Sequence, residues 1–245
     1  MKKDILGRIS SEESMGLVDG PGIRYVVFLQ GCKLRCKYCH NPETWDINGP
    51  SQEMSAEELI NKISRYKSYF GEDGGVTFSG GEPLLQPEFL VESLKLCKKK
   101  NIHTVLDTAG KSMATDKQLE EILSLVDLII LDIKAVNEND YKDLTGQTMD
   151  SFKHFIKLLN KHDKKLWLRQ VIVPNLNDSH ENIENLKDFI SKNFKKDNVL
   201  KIELLPYKSI GVHKYKTLGI KYRLDGLEDM DEEKCKQLEK QLKTN

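Results

Sequence analysis

Short apolar runs alternate with amphipathic ones along most of this chain. Six runs read as strands: Ile23–Gln30, Val76–Ser79, His103–Thr108, Leu128–Lys134, Leu166–Val173 and Val199–Leu205. Each is rich in β-branched or aromatic residues and ends at polar residues, glycine or proline. Helical spacing fills the gaps. Ser55-x-x-Glu58 reads as a capping box ahead of Leu59, Ile60, Ile63, Tyr66 and Phe70. Thr115-x-x-Gln118 repeats the device before Leu119, Ile122, Leu123 and Val126. Phe89, Leu90, Leu94 and Cys97 mark a further helix, Phe152, Phe155, Ile156 and Leu159 another, and Ile183, Leu186, Phe189 and Ile190 a third. The charged tail Asp231–Lys243 reads as a surface helix.

Strands that alternate with helices imply a parallel sheet with right-handed crossovers. A full eight-stranded barrel takes about 250 residues. Six strands in 245 residues fit an α/β fold of a smaller kind, a partial (β/α)6 TIM-like barrel with parallel strands. No linker, repeat or low-complexity stretch divides the chain, so residues 1–245 read as one domain.

Composition changes this picture little. Apolar residues make up 38% and charged residues 31%, as in an ordinary globular protein. Lysine plus arginine equals aspartate plus glutamate at 38 each, so no overall field favours nucleic acid or a membrane surface. Met1 to Gly16 carries no signal-peptide pattern. Leu125 to Ile133 is the most apolar run, but Asp127 and Asp132 interrupt it and it is too short to span a bilayer. Five cysteines without a secretion signal lead us to expect a reducing cytoplasm.

Three of the cysteines change the picture greatly. Cys32, Cys36 and Cys39 stand in a C-x3-C-x2-C spacing, which gathers three thiolates on one loop. A four-iron cluster normally takes four cysteines. Three leave one iron open to a small molecule, which suggests chemistry and an oxygen-poor setting. Structural zinc takes four ligands in paired C-x2-C style, and His40 is too close to Cys39 to complete such a set.

The other unusual residues fall at strand ends. Active sites of such barrels lie at the C-terminal ends of the strands. The cysteine loop follows the first run, Gly80-Gly81-Glu82-Pro83 the second, Asp107-Thr108 closes the third, and Asp132 and Lys134 close the fourth. Arg169 lies within the fifth run and His213 follows the sixth.

On these residues the chain resembles the radical S-adenosylmethionine enzymes, whose signature has an aromatic residue just before the last cysteine, as Tyr38 is here. Asp19-Gly20-Pro21-Gly22-Ile23-Arg24, Gly31 through Trp45, His103 through Thr108, Leu131-Asp132-Ile133-Lys134 and Ile202 through Tyr207 resemble the glycyl-radical-enzyme activases within that family. Some activases carry a ferredoxin-like insert after the first motif. Between Cys39 and Gly80 this chain has no cysteine, which favours the short type that acts on pyruvate formate-lyase.

The resemblance implies a [4Fe-4S] cluster on Cys32, Cys36 and Cys39, with S-adenosylmethionine on the open iron. It implies cofactor contacts from Tyr38, His40, Gly80, Gly81, Glu82, Asp107, Asp132, Ile133, Lys134 and His213. Asp107, Thr108 and Asp132 are candidates for a monovalent cation, and Asp19 for a place near the substrate glycine. The partners implied are pyruvate formate-lyase and a flavodoxin or ferredoxin as electron donor, with the chain acting as a monomer. Arg169 has no role on this reading. Cys97 reads as helix packing and Cys235 as a surface thiol. The rival readings are an activase of another glycyl radical enzyme, a non-catalytic iron–sulfur carrier and a zinc-binding module.

Overall fold

The computed structural model describes residues 5–243. One sheet of eight strands organises them, in the order β3-β1-β2-β4-β5-β6-β7-β8. Six strands run parallel: β2 (Arg24–Leu29), β4 (Gly75–Gly80), β5 (His103–Thr108), β6 (Leu128–Asp132), β7 (Lys165–Ile172) and β8 (Val199–Pro206). These correspond to the six predicted runs. The run ending at Lys134 is shorter than expected, because the chain leaves the sheet after Asp132.

Two strands were not predicted. β1 (Leu6–Gly16) pairs antiparallel with β2, and β3 (Gln52–Ser55) antiparallel with β1. Their sequences, LGRISSEESMG and QEMS, are polar and poor in β-branched residues. They sit at an edge with one face toward water, where pairing and not propensity decides. The sheet stays open between β3 and β8, so the six parallel strands form a partial barrel.

Helices pack outside it: α1 (Ala56–Ser64), α2 (Pro87–Lys99), α3 (Asp116–Leu125), α4 (Glu138–Thr145), α5 (Asp150–Leu159), α6 (His180–Asn193), α7 (Val212–Leu218) and α8 (Glu232–Lys243). Both capping boxes form as the spacing predicts, at Ser55–Glu58 and Thr115–Gln118. The central strands are apolar on both faces because helices cover one side and the barrel interior fills the other. The buried core runs from Ile9 in β1 to Leu242 in α8. The tail helix is therefore more than a surface decoration. Cys235, Leu238 and Leu242 are buried, and the thiol of Cys235 lies 3.6 Å from the Leu204 carbonyl, not at the surface. Cys97 is buried in α2 as expected.

The N-terminal end of the barrel is plugged. Arg24 is fully buried there. Its guanidinium donates to Thr77 Oγ1 at 3.0 Å and to the Val76 carbonyl at 2.5 Å. Thr77 in turn donates to the carbonyl of Asp19 at 2.7 Å, which fixes the β1–β2 loop inside the barrel. The open end is the other one, where the strands finish.

Candidate active site

A cavity of about 450 Å³ occupies the interior between the strand ends and the loop that follows β2. Sequence-distant residues meet there. Cys32, Cys36 and Cys39 line it from the loop, Gly80 and Gly81 from the end of β4, and Asp107, Asp132 and Arg169 from β5, β6 and β7. Asp19 reaches it from the plugged end.

The cysteine loop is held on three sides. At its base, the Gly31 N–H donates to the Thr44 carbonyl at 2.8 Å, and the Glu82 N–H donates to the Gly31 carbonyl at 2.8 Å. On one flank, the N–H groups of Arg35 and Lys37 donate to the carbonyls of Thr145 and Leu144 at the end of α4, and Lys37 pairs with Asp143 at 2.6 Å. On the other flank stands α7. The Tyr215 hydroxyl donates to the Cys39 carbonyl at 2.9 Å, Lys214 bridges Asn41 (2.9 Å) and Glu43, and the Tyr215 ring meets Trp45 edge-on. Next to them, His40 Nε2 donates to the Lys208 carbonyl at 2.8 Å. Tyr215, Lys214 and Lys208 carry no motif, so only the fold reveals them.

Gly80 and Gly81 are glycines for a packing reason. A Cβ on Gly80 would strike Leu29 N at 2.2 Å, and one on Gly81 would strike Gly31 O at 2.2 Å. Gly80 also has φ of +115°, which side chains disfavour. Their first duty is to let the end of β4 pack against the root of the cysteine loop. Having done so, both face the cavity.

Charge along the floor alternates. Lys134 Nζ meets Asp132 Oδ2 at 2.8 Å, Arg169 Nε meets Asp132 Oδ1 at 3.0 Å, and Arg169 Nη2 meets Asp107 Oδ1 at 2.6 Å. Ser79 Oγ donates to Asp107 Oδ2 at 2.8 Å. Burial alone would push Asp132 up, but Arg169 and then Lys134 outweigh it and hold the carboxyl down at about 2. The same pair keeps Lys134 protonated against burial, its pKa raised well above normal by Asp132. Burial raises Asp107, and the opposing charge of Arg169 only partly offsets it. Asp19 is likewise raised, by burial first and Asp107 second. Arg169, without a role in the sequence reading, is thus the hub of the site. Any cation held by Asp107 and Asp132 has to share their oxygens with this guanidinium, while Thr108 Oγ1 is already bonded to Glu82 and to the Gly110 N–H.

Three of the expected site residues, Glu82, Ile133 and His213, are not among those lining this cavity. Glu82 is 1% exposed and does not line the cavity. Its carboxylate accepts from Thr108 Oγ1 at 2.5 Å, Ala109 N at 2.9 Å and Leu84 N at 3.2 Å, which ties the loop after β4 to the end of β5. Burial raises this carboxyl to about 7. Ile133 is buried away from the cavity, its N–H donating to the Arg169 carbonyl at 2.8 Å. His213 is exposed on α7, with Nδ1 3.0 Å from the Ile210 carbonyl of its own turn.

The donor set fits an iron–sulfur cluster. Three thiols and no carboxylate come from the loop. Burial raises all three thiols, Cys36 to about 11. Among the described residues, no three His, Cys, Asp or Glu side chains converge on one ion-sized point. A multi-metal cluster would not require its ligands to converge on one ion-sized point. Next to the thiols, the Tyr38 hydroxyl is buried without a partner, beneath Lys134 Nζ at 5.6 Å from its ring. An unpaired buried hydroxyl on a cavity wall fits a polar ligand that belongs there.

Comparison with known proteins agrees with this architecture. The description of the Radical SAM superfamily matches residues 26–190. A pyruvate formate-lyase-activating enzyme of Clostridium pasteurianum is 55% identical over 240 residues, which cover 98% of each chain. One of Staphylococcus epidermidis is 44% identical, over 94% of this chain and 93% of that one. Among solved structures, a domain of the pyruvate-formate lyase-activating enzyme of Bacteroides vulgatus superposes with a TM-score of 0.55 at 25% identity, covering 69% of this chain and 92% of that one. SuiB of Streptococcus suis bound to S-adenosylmethionine gives a TM-score of 0.60 at 16% identity, over 85% of this chain and 44% of that one, a likeness of fold alone. The chain belongs to the radical SAM superfamily and, within it, to the family of the pyruvate formate-lyase-activating enzymes. It is an enzyme that works with a [4Fe-4S] cluster and S-adenosylmethionine.

Proposed function

We propose that this chain converts one glycine of pyruvate formate-lyase into its active glycyl radical, with the cavity between β5, β6, β7 and the cysteine loop as the reaction chamber. One observation supports this above others: three thiols, two cavity-facing glycines and a Lys–Asp–Arg–Asp array, dispersed over more than a hundred residues, line one cavity. A cluster held by Cys32, Cys36 and Cys39 would, when reduced, supply the electron for reductive cleavage of S-adenosylmethionine, the radical chemistry that would remove a hydrogen atom from the glycine α-carbon.

The protein's own groups position and shield. Cys32, Cys36 and Cys39 would hold the cluster. Lys134, kept cationic by Asp132, is placed to meet a carboxylate as a point charge. Carbonyls at Gly80 and Gly81 and the carboxylate of Asp107 are acceptors for an ammonium or ribose hydroxyls. Tyr38 offers its unpaired hydroxyl and its ring. His40, fixed by the Lys208 carbonyl, closes the rim. Asp19 sits at the deep end, where a substrate backbone would arrive. The flanking loops and the plugged base exclude water from a reactive carbon radical.

The electron donor is a small carrier, flavodoxin or ferredoxin, and the chain works as a cytoplasmic monomer and a single domain. No helix among the described residues is long and apolar enough to cross a membrane. The test mixes anaerobic, cluster-loaded protein with S-adenosylmethionine, a reductant and pyruvate formate-lyase. A glycyl doublet in the EPR spectrum with matching 5′-deoxyadenosine is expected. Deoxyadenosine without the doublet would overturn the partner, and neither product from an intact reduced cluster would overturn the reaction.

A further inference from the structure

A second cavity, of about 560 Å³, lies outside this site at the open edge of the barrel, between α6, the first half of β8 and the end of α8. Its floor is apolar, with Phe194, Leu200, Ile202 and Leu242 among its residues. Its rim carries Lys187, Lys196, Lys201 and Lys243, and no aspartate or glutamate lines it. That bias stands out in a chain whose charges balance at 38 and 38. Lys201 pairs with Glu203 at 2.7 Å, Lys243 pairs with Glu239, and Lys187 is engaged as well. Lys196 is exposed.

The backbone there is unfinished. β8 is hydrogen-bonded only to β7. Further along, α8 covers the free side: the Leu204 N–H donates outward to Glu239 Oε2 at 2.8 Å, and its carbonyl meets Cys235. Alternate residues of a strand face the same side, and no register shift falls between Lys201 and Pro206. Ile202 therefore turns its N–H and C=O outward as Leu204 does, but toward the lysine-rimmed cavity. Leu200 is 58% exposed beside it. Exposed edges with apolar side chains are templates for an added strand, and proteins usually cover or blunt them. Here the cover ends halfway.

We propose that the Val199–Ile202 edge of β8 is a docking site for an extended acidic segment of a partner protein, which adds to the sheet as a further strand. Main-chain pairing supplies its affinity, and alternate side chains its selectivity: apolar ones toward Phe194 and Leu242, carboxylates toward the lysines. A second copy of this chain is a poor occupant, because two lysine rims would face each other. The edge is at the N-terminal half of β8, whereas the cysteine cavity opens at the strand ends, so this inference stands apart from the proposed reaction.

The test uses the full, cluster-loaded chain and a short fluorescent peptide of alternating valine and glutamate, with a valine–lysine peptide as control. The acidic peptide should bind saturably by anisotropy, weaken on going from ~0.05 to ~0.5 M salt as screening lengths shrink, and protect the amides of residues 200–203 from hydrogen exchange. Lys187→Glu with Lys196→Glu should weaken it by about tenfold or more while deoxyadenosine formation is unchanged. Ile202→Pro removes the outward donor and should do the same, with circular dichroism reporting the fold. Equal binding of the lysine peptide, protection elsewhere, or no binding overturns the proposal. Self-association through this edge, or binding of dodecanoate in place of the peptide, also overturns it.

Discussion

Glu82 lies next to the glycine pair of the cysteine cavity, yet its carboxylate faces the protein. Its three donors are Thr108 Oγ1 and the N–H groups of Ala109 and Leu84. Glu82→Gln keeps the shape but turns an amide N–H₂ toward one of those donors. A buried donor left unsatisfied costs about 1–3 kcal/mol, a large share of a typical stability of about 5–15 kcal/mol. The charge adds a pH dependence. The folded carboxyl titrates at about 7 and an unfolded one near 4.5. Between those values the folded state binds more protons than the unfolded state, so this group makes stability fall as pH rises, by about 1.4 kcal/mol per unit and about 3 kcal/mol in all. Above pH 7 its contribution is flat. Glutamine lacks that slope. Urea unfolding of anaerobic wild-type and Glu82→Gln proteins should therefore show the stability difference between them shifting by about 2.5 kcal/mol in the variant's favour from pH 5 to pH 8. A deficit independent of pH would refute the buried, proton-holding carboxyl.

Three further outcomes follow from the site. Arg169→Lys cannot reach both Asp107 and Asp132 through two nitrogens, and Arg169→Leu leaves Asp107 without its cation at a cost of about 3–5 kcal/mol, Asp132 keeping Lys134; calorimetry should show S-adenosylmethionine binding weakened in the lysine variant, and unchanged affinity would contradict the hub role. Tyr215→Phe removes the donor to the Cys39 carbonyl, worth about 0.5–1.5 kcal/mol, so iron should pass to a chelator faster than from wild type under identical reduced conditions. Gly80→Ala places a Cβ 2.2 Å from Leu29 N at a positive φ, and soluble expression with full iron content would show that the strand end has more room than the structure gives it.

Much of this enzyme was readable along the chain. The six parallel strands follow from apolar runs, because central strands must be apolar on both faces. Both capping boxes are local devices, complete within four residues. The cysteine triplet is also local, since a cluster loop must gather its thiolates itself. What escaped depends on partners distant in sequence. β1 and β3 become strands because β2 offers an edge, not because their residues prefer extended backbone. Arg169 gained its role only when β5 and β6 brought Asp107 and Asp132 to either side of it. The sequence places Glu82 and His213 near strand ends but not the direction of their side chains, one turned into the protein and the other out to solvent. The support of the cysteine loop by Tyr215 and Lys214 crosses more than 170 residues. The sequence by itself determined the chemistry this chain carries, because thiolate ligands and strand periodicity are short-range patterns. Which charges meet, and which face the cavity, were decided by tertiary structure, because those depend on how separate strands align.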